Sequence, residues 1–202
     1  MENITKKLKE LFSEETQQIT EQDISFNTGK FPDFNFFVND KISDETREKL
    51  DKLLLKKYNL KDFTQLEKAL FAFIWKQGDY KTFSHFADGL LQKEKKENDK
   101  KGIVMYQFGK FIKDYKNNPI IDQHVIRAYR YSINTSNDKN IIDEILNNDN
   151  ISTISDIDRI ITDYTIWYKE KIKIWELTDI RLLDKYIFSL GKQLKEKRNA
   201  AK

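Results

Sequence analysis

Asp122, His124 and Arg127 are the residues of this chain whose types and spacing could do chemistry. They lie in Asn118-Pro119-Ile120-Ile121-Asp122-Gln123-His124-Val125-Ile126-Arg127-Ala128, where polar groups interrupt an apolar frame. Asp122 follows Pro-Ile-Ile at a predicted helix start, where the helix dipole and unpaired backbone N–H groups favour an ionised carboxylate. An aspartate held there is pre-organised. A structural account fits the same residues: Asp122 as a helix cap worth about 1 kcal/mol, His124 as a satisfied core histidine, and Arg127 as a surface or paired cation. A short way upstream, Tyr106-Gln107-Phe108-Gly109-Lys110 brings a cation, Lys110, into a second apolar frame.

Other chemistries find no footing. There are two histidines, His85 and His124, and no cysteine, and the chain contains no HExxH, CxxC or GxxxxGK[ST] pattern. Zincin, zinc-ribbon and P-loop chemistry are therefore unsupported, and no metal or cofactor is expected. Trp75-Lys76-Gln77-Gly78-Asp79 joins two predicted helices. Asp79 is expected to cap the second helix and Trp75 to pack, a ligand contact being the alternative for Trp75. Trp175, Arg181, Asp184, Lys185 and Tyr186 form a polar and aromatic set whose spacing predicts a salt-bridged helix face. The basic tail from Lys192 to Lys202 predicts a solvated helix end, with phosphate contact as the alternative.

The stretch from Ile103 to Tyr131 resembles part of the helix-hairpin-helix DNA glycosylase superfamily. In that family an apolar helix ending in Phe-Gly leads through a loop to Pro-(apolar)-Asp-x-His-Val-x-Arg, which Phe108, Gly109, Pro119, Asp122, His124, Val125 and Arg127 match. The resemblance implies that Asp122 is the catalytic carboxylate, supporting water attack or stabilising the cationic sugar as the base departs. It further implies that His124 and Arg127 orient this carboxylate or the substrate, with double-stranded DNA as partner and no cofactor; Trp75 and Lys110 are the further candidates for substrate contact. The family's Leu-Pro-Gly-Val-Gly hairpin is replaced by residues 92–101, with no glycine before Gly102, and the loop from Gly109 to Pro119 is longer than usual. Asn98 falls near the position where bifunctional members carry their nucleophilic lysine, so the activity implied is monofunctional hydrolysis of an N-glycosidic bond. The alternative from another class is a non-catalytic helical binding or scaffold protein, in which the same residues are cap and core.

The elements that must position these groups are helices. Six glycines and two prolines in 202 residues fall well below the ~12% that the two types average, which disfavours turn-rich β folds. Apolar residues recur at helical spacing from Ile4 to Phe12 and, after Ser43, at Leu50, Leu53, Leu54 and Tyr58. Thr64 and Glu67 form a capping-box pattern ahead of a helix that Gly78 is placed to end. Further helices are predicted over 80–91, 103–112, 120–132, 140–146, 154–175 and 179–198, the last capped by Thr178, with the charged run 93–101 as a solvated loop or helix start. The expectation is one all-α domain over 1–202, a multi-helix orthogonal bundle resembling the glycosylase scaffold. Residues 1–42 are expected to form an N-terminal helix and an arm docked by Phe26, Phe31, Phe34, Phe36 and Phe37.

The formal charge of +3, from 36 basic and 33 acidic residues, does not by itself argue for nucleic acid. The most apolar run, 69–75, is broken by Lys76, so no membrane span is expected. A polar start from Met1 to Lys9 predicts no signal peptide, and cysteine absence fits a reducing compartment, so the expected location is cytoplasmic.

Overall fold

The computed structural model describes residues 2–12, 43–54, 61, 64–76, 80–94, 100, 102–175 and 181–200. Among them the chain is all helical, with nine α-helices, a 3-10 turn at Ile151–Thr153 and no strand. The helices are α1 (Glu2–Phe12), α2 (Asp44–Leu54), α3 (Gln65–Lys76), α4 (Tyr80–Leu90), α5 (Ile103–Lys113), α6 (Gln123–Ile133), α7 (Lys139–Asn147), α8 (Ile157–Ile174) and α9 (Arg181–Ala200). No described helix is long and apolar enough to cross a membrane. The aromatic arm and the Thr178 cap lie outside the described residues.

The helices gather into two compact units, one holding α1 and α6 to α9 and the other α2 to α5. No shift in composition marks this division. In the second unit, α2 opens on Ser43, whose Oγ accepts from the Thr46 N–H at 3.1 Å. α3 opens on the expected capping box: the Glu67 carboxylate accepts from the Thr64 N–H at 2.6 Å, and the Thr64 hydroxyl accepts from the Glu67 N–H at 3.2 Å. α4 and α5 form a close antiparallel pair because two glycines let their backbones touch. A methyl group on Gly89 would lie 1.9 Å from the Tyr106 carbonyl oxygen, and one on Gly109 would lie 2.1 Å from that of Phe86. Around this crossing Phe86 tilts against Phe108 at 5.8 Å, and Phe108 stacks on Phe111 at 6.2 Å. Gly102 begins α5 with φ of +68°, a conformation that suits glycine.

In the first unit α6 is the hub. Val125, Ile126, Arg127, Ala128 and Tyr129 are buried in succession, so the helix is covered all round, by α1, α7, α8 and α9. α1 contributes Ile4, Leu8 and Leu11, spaced to fall on one face. α8 contributes Ile157, Ile160, Ile161, Tyr164 and Tyr168, and α9 contributes Leu183, Ile187, Leu190 and Leu194. Each of the leucines and isoleucines among these stabilises the fold by roughly 1.5–3 kcal/mol relative to exposure. Phe12 stacks on Trp167 with centroids 4.1 Å apart and ties the end of α1 to α8.

Two expectations need correction. The helix predicted from Ile120 begins at Gln123, because Asp122 is extended, with φ of −140°, and serves as its cap. The predicted salt-bridged face near the C-terminus is largely core: Trp175, Asp184 and Tyr186 are buried, and Asp184 accepts a hydrogen bond from the Tyr168 hydroxyl at 3.0 Å. A carboxylate can leave water there because a tyrosine hydroxyl of α8 supplies a partner.

Candidate functional site

The polar residues of α6 meet a loop between helices and the end of α9. Pro119, Ile120 and Ile121 lead into the helix outside any regular element, and Ile121 is buried. The Asp122 carboxylate then turns back to accept from the Val125 N–H at 2.8 Å, closing the first turn of α6. Burial pushes the Asp122 carboxyl above the usual carboxylate range, while the backbone N–H groups of Val125 and His124 and the Arg127 cation pull the other way. Asp122 and the buried Asp184 both add to the burial that holds the Tyr164 hydroxyl well above its ordinary value. That hydroxyl finds no hydrogen-bond partner among the described residues.

Arg127 lies one helical turn beyond His124 and its side chain is 0% exposed. Its Nη2 donates to Asp149 Oδ1 at 2.8 Å and to the Asn148 carbonyl at 3.1 Å, and its Nη1 donates to His124 Nδ1 at 3.0 Å. Guanidinium cannot accept a proton, so Nδ1 must be the unprotonated nitrogen and the imidazole must be neutral. The pKa agrees with this geometry. Burial, then the Arg127 and Lys195 cations, lower it from about 6.5 to about 4, against a smaller opposing pull from the Gly191 carbonyl and Asp149. The edge of the His124 ring meets Phe188 of α9 at 5.0 Å.

Asp149 reaches this cluster through the turn after α7. Asn148 Oδ1 accepts from the Asn150 N–H at 2.9 Å, and Asn150 Oδ1 accepts from the Ser152 N–H at 3.1 Å, so consecutive Asx turns fix the loop around Asp149. Asp149 Oδ1 also accepts from Lys195 Nζ of α9 at 2.8 Å. One half-exposed carboxylate thus faces two cations, and three elements converge on it. α9 comes this close because of Gly191, where a methyl group would sit 1.9 Å from the His124 carbonyl oxygen.

The structure therefore brings Asp122, His124 and Arg127 to one end of α6, with Asp122 serving as cap, and links His124 to Arg127 directly. Lys110 and Trp75 belong to the other compact unit. Lys110 Nζ lies over the Tyr106 ring, 5.9 Å from its centroid, and the side chain of Trp75 is outside the described ones. Among the described residues no group of three or more His, Cys, Asp and Glu could hold a metal ion. Sequence reasoning missed Asn148, Asp149, Gly191 and Lys195. Gly191, a lone glycine within a helical pattern, was the available signal of close packing. Asn147-Asn148-Asp149-Asn150 signals a turn without saying where its acidic residue points.

The neutral state of His124 has a measurable consequence. The native ring binds its proton near pH 4 and the unfolded ring near 6.5, so between these values the unfolded chain holds more protons and stability rises with pH. His124 thus contributes its full effect above about pH 6.5 and loses it as pH falls toward about 4. The gap sets an upper bound of about 3 kcal/mol, which partial solvent exposure reduces. Asp122, shifted upward, acts with the opposite sign, its contribution falling as pH rises from 3.8. Urea denaturation of His124→Asn is expected to show a flatter stability profile between pH 4 and 6.5 than the parent. An unchanged slope would mean that the histidine is not held neutral.

Comparison with protein-family models, with curated proteins and with solved structures finds no match to this chain.

Proposed function

We propose that this chain is a non-catalytic helical binding or scaffold protein in which Asp122, His124 and Arg127 hold the fold together. The observation that carries this is the placement of the Arg127 guanidinium, which is fully buried and bonded to Asp149, Asn148 and His124. A group so enclosed joins α6 to the loop after α7, and Asp149 passes the link on to Lys195 of α9. Substitution at the cap tests it. Asp122→Ala is expected to cost about 1 kcal/mol, whereas Asp122→Ser, which keeps an acceptor for the Val125 N–H, should stay close to the parent in urea midpoint. Equal losses in the two variants would show that the carboxylate does something other than cap.

A second function is favoured by one observation: the Asp122 carboxyl stands at a helix start and is nonetheless pushed upward by burial. A buried carboxyl whose pKa is raised in this way suits general acid or base work. On this account the chain is a divergent DNA-glycosylase-like protein. Asp122 supports water attack on the N-glycosidic carbon, His124 and Arg127 orient it, Trp75 and Lys110 contact double-stranded DNA, and no cofactor takes part. Binding to a short duplex at several salt concentrations, followed by base release from lesion-bearing duplexes, decides between the two. Glycosylase activity requires steeply salt-dependent binding and base release that Asp122→Asn abolishes while the variant remains folded. Absence of duplex binding at low salt leaves the binding or scaffold role.

A further inference from the structure

We propose that one water molecule is held inside the first compact unit, bridging the Tyr164 hydroxyl of α8 to the Asp184 carboxylate of α9. Every residue that builds the site belongs to that unit. The site holds whichever role Asp122 has.

Tyr164 supplies the need for a partner. Its side chain is fully buried, with ring centroids 5.4 Å from Tyr129 of α6 and 5.7 and 6.2 Å from Trp167 and Tyr168 of its own helix. The hydroxyl at the end of this ring meets no hydrogen-bonding group among the described residues. A phenol taken out of water with its O–H unpaired opposes folding, and buried hydroxyls are therefore satisfied by protein groups or by ordered water.

Asp184 sets where the water sits. After burial itself, its charge is the largest influence holding the Tyr164 hydroxyl above its ordinary range, yet the two groups are beyond direct hydrogen-bond reach. Polar groups that feel each other across such a gap are joined by one water. Of the roughly four acceptor positions of the Asp184 carboxylate, Tyr168 occupies one at 3.0 Å, which leaves capacity for a further donor. The water accepts from the Tyr164 O–H and donates to Asp184. Its second hydrogen is free for Asp122, the next charge that Tyr164 feels, and three polar partners are what a buried water typically has. A divalent cation at this point would need about six oxygens, and among the described residues no group of carboxylates and histidines could hold one. Bound there, the water ties α8 to α9 one turn before the Tyr168–Asp184 bond.

The test is oxygen-17 relaxation dispersion on the full-length chain, which counts long-lived internal waters, in the parent and in Tyr164→Phe. The variant is expected to hold one such water fewer. It should also melt about 2–4 °C below the parent, the shift that loss of one net hydrogen bond produces in a chain of this length. A parent with no long-lived water overturns the proposal by itself, whether or not the variant folds. A variant that melts lower with an unchanged water count also overturns it, because Tyr164 would then bond Asp184 directly. So does a variant that melts higher than the parent, which would mean that the hydroxyl is buried unpaired.

Discussion

Arg127→Ala is expected to lower the unfolding free energy by about 3–5 kcal/mol, the largest effect of any single substitution considered for this chain. The arginine is the largest fully buried side chain of the molecule's described residues. Truncation removes a donor from His124 Nδ1 and from the Asn148 carbonyl, and leaves a void where the aliphatic stem packed. Asp149 suffers least, because it is 52% exposed and retains Lys195. Arg127→Met separates the two contributions. It fills most of the volume without supplying donors, so its loss of about 1–3 kcal/mol measures the unsatisfied acceptors and the difference from alanine measures the void. Urea midpoints of the two variants provide the check. Equal and small losses in both would mean that the guanidinium is dispensable, and the structural role assigned to α6 would fall with it.

Gly191→Ala is expected to destabilise the fold by about 1–3 kcal/mol even though alanine is the better helix former by about 1 kcal/mol. The sign is decided by what the methyl group meets. Its nearest neighbours, at 1.9 and 2.6 Å, are the carbonyl oxygen and carbon of His124, which are backbone atoms and cannot rotate aside. α9 must therefore move off α6. For a chain of this length such a loss lowers the melting temperature by about 2–4 °C per kcal/mol. The same movement brings water toward the imidazole, so the His124 pKa, followed by NMR, should climb from about 4 back toward 6.5. A variant that melts higher than the parent would show that the two helices do not approach as closely as described.

The helices were legible in the sequence because their signals are local. Thr64 and Glu67 cap α3 through contacts three residues apart, and the α8 face of Ile157, Ile160, Ile161, Tyr164 and Tyr168 follows from periodicity alone. Asp122 was legible as a cap for the same reason, since its partner is Val125. The partners of Arg127 were not, since Asp149 lies 22 positions away and Lys195 a further 46 beyond Asp149. No residue pattern encodes which acidic side chain of a polar turn will face inward. The buried Asp184 misled for a related reason: Arg181 and Lys185 beside it suggested a solvated face, whereas a partner that draws it inward, Tyr168, lies on another helix.

One feature of the layout bears on how the molecule assembles as it is made. The helices α2 to α5 are continuous in the chain, whereas the unit around α6 is recruited from both ends, and its Thr5 and Tyr131 hydroxyls meet at 3.1 Å across 126 intervening steps. A nascent polypeptide can complete the continuous unit while the remainder is still being synthesised. α6, with its permanently charged arginine, must wait for α9 before its cover is whole. Loop closure over such separations is slow, so completion of α9 is expected to govern when, during synthesis, α1 becomes protected from proteolysis.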